Sequence, residues 1–180
     1  MTFDTIKNNV IGYEYHFKKL MSLYNKNELP TKMLISGHKG IGKSTFSKKF
    51  INYILSKNEK IDYQLFNACD ERLNKLINQN FFLIDVNDDK KFIEIEQIRN
   101  LIVQSQKQSF NNNPRFVLVD NVEKMNLNSI NALLKILEEP YENMYFFLIH
   151  DSKFRLKETI LSRCISFKIF FSNDQILNIT

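Results

Sequence analysis

Short apolar runs recur along the chain, and between them apolar residues return every three or four positions, so the two periods together predict alternating strands and helices. The runs at 33–36, 81–85, 116–120, 145–149 and 165–169 read as strands. Phe81–Asp85, Phe116–Asp120 and Tyr145–Ile149 are nearly all apolar, which suits parallel strands covered on both faces. Helical spacing appears first at about Glu14 to Tyr24, where Phe17, Leu20, Met21 and Tyr24 share a face. It returns at about Lys43 to Leu55 through Phe46, Phe50, Ile54 and Leu55. Ile98, Leu101 and Ile102 mark a third helix within about Glu96 to Phe110, and Ile130, Leu133, Leu134 and Leu137 a fourth at about Leu127 to Glu138, stopped by Pro140. Five strands with helical crossovers predict an open, mostly parallel sheet between helical layers, an α/β fold. The stretch from Ser56 to Asn80 is polar and mixed and reads as an insertion. No internal repeat or low-complexity tract appears.

A length of 180 residues suits one domain with a real core, and 43% apolar with 25% charged residues matches an ordinary globular chain. No apolar run approaches membrane-spanning length, and the first ten residues lack the apolar centre of a secretory signal, so a cytoplasmic protein with no membrane partner is expected. Cys69 and Cys164 are far apart and cannot by themselves form a four-thiolate zinc site. The net charge of +5 raises the question of nucleic acid. Yet 20 lysines, 22 asparagines and 21 isoleucines against two alanines indicate a compositional bias, and part of the basicity follows from it. That bias makes the rare residues informative, above all the four glycines and five arginines.

Three of those glycines fall in Gly37-His38-Lys39-Gly40-Ile41-Gly42-Lys43-Ser44, which fits G-x-x-x-x-G-K-[ST] without mismatch. A predicted strand precedes it and a predicted helix follows, the geometry that cradles phosphate. Glycine lets successive backbone N–H groups approach a ligand, and the helix N-terminus adds partial positive charge. Lys43 would reach the β- and γ-phosphates and the Ser44 hydroxyl would hold magnesium, with Thr45 completing the nucleotide-binding segment. His38 is read as a solvent-facing loop residue. A carboxylate at a neighbouring strand end should share the magnesium; Asp120 fits, although Asp85 occupies a similar place.

From Arg115 the chain reads RFVLVDNVEKMNLNSINALLKILEEP and then FFLIHDSKFRLKETILSRC. It resembles the AAA+ clamp-loader subunits of bacterial DNA polymerase III, whose sequences pair an Asn-Ala-Leu-Leu-Lys-x-Leu-Glu-Glu-Pro helix with a Ser-Arg-Cys motif. The resemblance begins near Val10-Ile11-Gly12 and covers nearly the whole chain as an N-terminal AAA+ subdomain. It implies a three-layer P-loop NTPase fold with five parallel strands in the order 5-1-4-3-2, and ATP or ADP with magnesium as cofactors. It also implies that Asp120 is the Walker B aspartate, that the sensor 1 position lies within His150 to Ser152, and that Arg163 is an arginine finger facing a neighbouring subunit's ATP. Cys164, beside it, reads as packing.

Two departures from the motor subunits stand out. Asn121 follows Asp120 where those subunits carry a glutamate that activates water, and an amide cannot accept that proton. Glu123 stands two residues on as a possible substitute. The insertion contains Cys69 alone where the motor subunits carry a four-cysteine zinc module, so no zinc is expected. Both departures favour the delta-prime type, a stator with weak or absent hydrolysis, over the gamma/tau motor type, with an unrelated P-loop kinase last. The partners implied are the delta and gamma/tau subunits and, through the assembled loader, the sliding clamp and primed DNA. Residues 1–170 are expected to form the nucleotide-binding domain and 171–180 the start of a linker or truncated lid, with lid and collar domains absent.

Overall fold

In a computed structural model, which describes residues 12–58, 80–106 and 113–169, the elements alternate as the hydrophobic pattern requires. Helix α1 (Glu14–Asn25) leads to strand β1 (Lys32–Gly37) and helix α2 (Lys43–Asn58). Then come β2 (Phe81–Ile84), α3 (Ile95–Ser105), β3 (Arg115–Val119), a 3-10 turn (Val122–Lys124) and α4 (Leu127–Glu138). Strand β4 (Met144–Asp151), the short helix α5 (Glu158–Leu161) and β5 (Ile165–Lys168) complete the series. Asn126 starts α4 by accepting the Ser129 N–H on its side-chain oxygen at 2.9 Å, and Pro140 follows its end. The family's opening box at Val10-Ile11, most of the insertion with Cys69, and the segment 171–180 lie outside the described residues.

All four strand pairings are parallel and the order is β2-β3-β4-β1-β5, the order that the family resemblance implies. Alternate side chains of the inner strands go to opposite faces. Met33, Ile35, Phe116, Leu118, Phe147 and Ile149 pack with Phe17 of α1 and Phe46, Phe50 and Ile54 of α2. Leu34, Val117, Val119, Phe146 and Leu148 pack on the other side with Ile98 and Leu101 of α3, Leu133 and Leu137 of α4 and Ile160 of α5. The first layer is unusually aromatic. Phe50 stacks on Phe147 at 5.8 Å, and Phe147 meets Phe116 edge-on at 5.9 Å.

Strand β2 departs from the expectation of two covered faces, and β5, which carried no such expectation, is also open. Leu83 in β2 is 48% exposed and Ile165 in β5 is 61% exposed, because each edge strand has one neighbour and incomplete helical cover. No described helix is long and apolar enough to cross a membrane.

Candidate functional site

The loop between β1 and α2 opens where β1 ends beside β4, at the carboxyl edge of the sheet. Gly40 and Gly42 both take φ of +86°, a left-handed backbone that favours glycine. Gly37 is required for a different reason: a Cβ there would lie 2.7 Å from the Ile169 carbonyl oxygen and 2.9 Å from Ile41 Cδ1. Tyr13, at the start of α1, stacks on Phe46 at 4.6 Å and donates its hydroxyl to the Ile41 carbonyl at 2.6 Å. The loop is thereby tied to α1 by a contact across 28 residues, which no local sequence signal reveals.

Lys43 is buried, and its ammonium donates to the Gly37 carbonyl at 2.9 Å and the His38 carbonyl at 2.6 Å. Burial pulls its pKa below the usual lysine value, while the carboxylates of Asp151, Glu123 and Asp120 oppose that pull. The Ser44 hydroxyl oxygen is shut off from solvent and has no hydrogen-bond partner. A buried polar atom of this kind is costly unless something else supplies the missing interaction. Glycines that open the backbone, a lysine and an unsatisfied hydroxyl at the head of α2 together suit a phosphate with its magnesium ion.

These residues surround a cleft of about 320 Å³. Lys39, Gly40, Gly42, Lys43, Ser44 and Thr45 line one side, and Asp120, Asn121, Glu123, Ile149 and Asp151 the other. Gly37, His38 and Ile41 stand outside the lining; the His38 side chain is exposed, and all three engage through their backbone carbonyls. The structure separates the two carboxylates that sequence left as alternatives. Asp120 follows the inner strand β3 and reaches the cleft, whereas Asp85 follows the edge strand β2 and accepts from Asn121 Nδ2 at 2.8 Å and its neighbour Val86 N–H at 2.7 Å.

Asn121 has a left-handed backbone, φ +55°, which asparagine tolerates better than most residues. The 3-10 turn that follows carries Glu123 into the cleft, where its Oε2 accepts from the Asp151 N–H at 3.3 Å. Asp151 itself, buried at the end of β4, went unassigned in the sequence beyond the window His150 to Ser152. Its neighbour His150 is pinned between Ser36 Oγ at 3.2 Å and the Phe154 carbonyl at 2.9 Å.

Arg163 does not line this cleft. Its Nε and Nη2 donate to Glu138 Oε1 at 3.1 and 2.6 Å, and Nη1 donates to the Thr159 carbonyl at 3.0 Å. A third of the side chain remains exposed, between the exposed residues Leu161 and Ile165. Cys164 packs against the second core layer, and burial pushes its thiol up to about 11, with Lys32 pulling the other way. Iodoacetamide at pH 8, followed by mass spectrometry of the Cys164 peptide, should therefore show alkylation at least about a hundredfold slower than for a free thiol. Rapid labelling would mean that the sulfur is open to solvent. Among the described residues no cluster of three or more His, Cys, Asp or Glu side chains is arranged to hold a metal ion.

Known proteins match this chain along most of its length. DNA polymerase III subunit gamma of Buchnera aphidicola subsp. Schizaphis graminum is 30% identical over 94% of the chain and 46% of its own length. Subunit delta' of the same organism is 27% identical over 85% of the chain and 47% of its own length. The chain thus spans about half the length of these curated relatives. Among solved structures, a DNA polymerase III gamma subunit-related protein of Thermotoga maritima superposes with a TM-score of 0.56 at 18% identity, covering 86% of this chain and 47% of that one. The Thermotoga maritima RuvB Holliday junction branch migration motor gives 0.53 at 13% identity, covering 99% of this chain and 51% of that one. Both carry the same fold. The profile of the family described as "DNA polymerase III, delta subunit" matches residues 12–172, and the chain belongs to that family of clamp-loader AAA+ subunits.

Proposed function

We propose that the chain is a delta-prime-type stator of the DNA polymerase III clamp loader, which binds ATP or ADP with magnesium but hydrolyses it weakly or not at all. Residues 1–170 would serve as its nucleotide-binding domain and 171–180 as the start of a linker, in the cytoplasm. The segment Gly37 to Thr45 would cradle the phosphates, with Ser44 and Asp120 holding magnesium, Asp120 through a bound water. When bound, the magnesium ion neutralises phosphate charge; positioning is left to the chain.

The observation that carries the stator reading is Asn121. It follows Asp120 directly, and its amide nitrogen is committed to Asp85, so no carboxylate at that position can take a proton from an attacking water. Glu123 in the cleft and the 30% identity to a gamma subunit favour the second reading, a gamma/tau-type motor ATPase of the same loader. Brisk single-turnover hydrolysis by the purified protein would decide for the motor.

In the stator reading Arg163 serves the neighbouring subunit. A guanidinium stays charged at every working pH and offers a planar fork to the charge that spreads during phosphoryl transfer. Its exposed apolar flanks, Leu161 and Ile165, suit a subunit contact, and its bonds to Glu138 hold it in one orientation. In a loader reconstituted with delta and gamma/tau subunits, clamp and primed DNA, Arg163→Ala should lower stimulated ATPase by about a thousandfold. The variant's own nucleotide affinity should not change. An equal loss of that affinity would contradict service in trans.

A further inference from the structure

Asp151 gives this cleft a buried carboxylate that the nucleotide reading above does not use. It is the last residue of β4 and the register partner of Gly37, the first residue of the phosphate loop. The next residue fastens the two together, Ser152 N–H donating to the Gly37 carbonyl at 3.1 Å. Asp151 is 5% exposed, and one carboxylate oxygen accepts the Lys153 N–H at 3.1 Å. Its side chain lines the same cleft as Lys43, and Glu123 reaches in beside it to accept the Asp151 N–H.

In a loop of this kind the glycine amides cradle phosphates, the lysine reaches the β- and γ-phosphates, and magnesium, when bound, would neutralise part of their charge. Asp120, with Ser44, would hold that magnesium. Glu123 and Asp151 have no such counterion, and Lys43, the buried cation of the cleft, already faces three carboxylates. A third phosphate would add negative charge beside the Lys43 ammonium, which Asp151, Glu123 and Asp120 already face, and a diphosphate would add less. Like charges brought together at a partly desolvated site oppose binding, and a repulsive element aimed at one of two ligands produces selectivity.

We propose that the cleft selects nucleoside diphosphates over triphosphates and that Asp151, seconded by Glu123, sets this preference. The proposal rests on the reading of the loop as a nucleotide site. Titration calorimetry of the purified protein at saturating magnesium tests it, with ADP, ATP and a nonhydrolysable imido analogue of ATP. The expected result is at least about tenfold tighter binding of ADP than of either triphosphate. Asp151→Asn should bring the ratio close to one by strengthening triphosphate binding more than ADP binding. Glu123→Gln should shift the ratio in the same direction by less.

Equal or tighter triphosphate binding by the wild-type protein overturns the proposal, and so does an unchanged ratio in folded Asp151→Asn. Should circular dichroism show that this variant does not fold, the wild-type ratio and Glu123→Gln remain decisive. Failure of every nucleotide to bind removes the underlying nucleotide reading as well, whereas binding without preference removes the selectivity alone.

Discussion

Replacing Lys43 with alanine is expected to weaken magnesium-nucleotide binding by at least about a hundredfold without lowering the melting temperature of the free protein. The binding loss follows from charge: Lys43 is the buried cation of the cleft, and an alanine leaves the phosphates facing Asp120, Glu123 and Asp151. The stability result follows from burial. Desolvation lowers the lysine's pKa in the folded state, so keeping it charged at neutral pH opposes folding, and that cost disappears only as pH rises through the lysine range. Alanine removes the cost at neutral pH. Of the two carbonyls it releases, Gly37 keeps the Ser152 N–H and His38 lies at an exposed position. Calorimetric titration and a thermal melt check both halves; a variant that binds normally, or one that melts well below the wild type, would contradict this account.

Phe147→Ala should have the largest effect on stability, about 3–5 kcal/mol, read as a shift in the urea midpoint at constant slope. Phe147 lies on β4, the centre of the sheet, and is fully buried. Its ring meets Phe50 on α2 from one direction and Phe116 on β3 from another. Truncation leaves a cavity bounded by the face of Phe50 and by the perpendicular ring of Phe116, which cannot collapse into it without moving a helix or a strand. The same substitution should also disturb the phosphate loop, since Phe50 and Phe46 belong to the helix that the loop opens. A loss below about 1 kcal/mol would show that the aromatic layer repacks freely.

Much of this architecture was legible beforehand because inner parallel strands must be apolar on both faces, which gives them runs that stand out from helical periodicity. The run at 144–151 extends further than expected because His150 and Asp151, polar in sequence, are buried and pair with Ser36 and Gly37 of β1. The exposure of Leu83 was not legible, since an apolar run does not state how many neighbours a strand has. The strand order came from resemblance rather than from spacing. The glycine loop was readable as a motif, whereas its anchor to Tyr13 joins positions too distant for any periodic signal. The direction of Glu123 depended on the left-handed Asn121 and the single turn after it, a backbone choice that composition does not dictate.

The close approach of the Ile169 carbonyl to Gly37 has a mechanical consequence. Ile169 N–H also donates to Ser36 at 2.9 Å, so the chain leaving β5 and the chain entering the glycine loop share one joint. A displacement of Ile169 is therefore expected to shift the first peptide of the loop as well, because there is no room between the two backbones to absorb it.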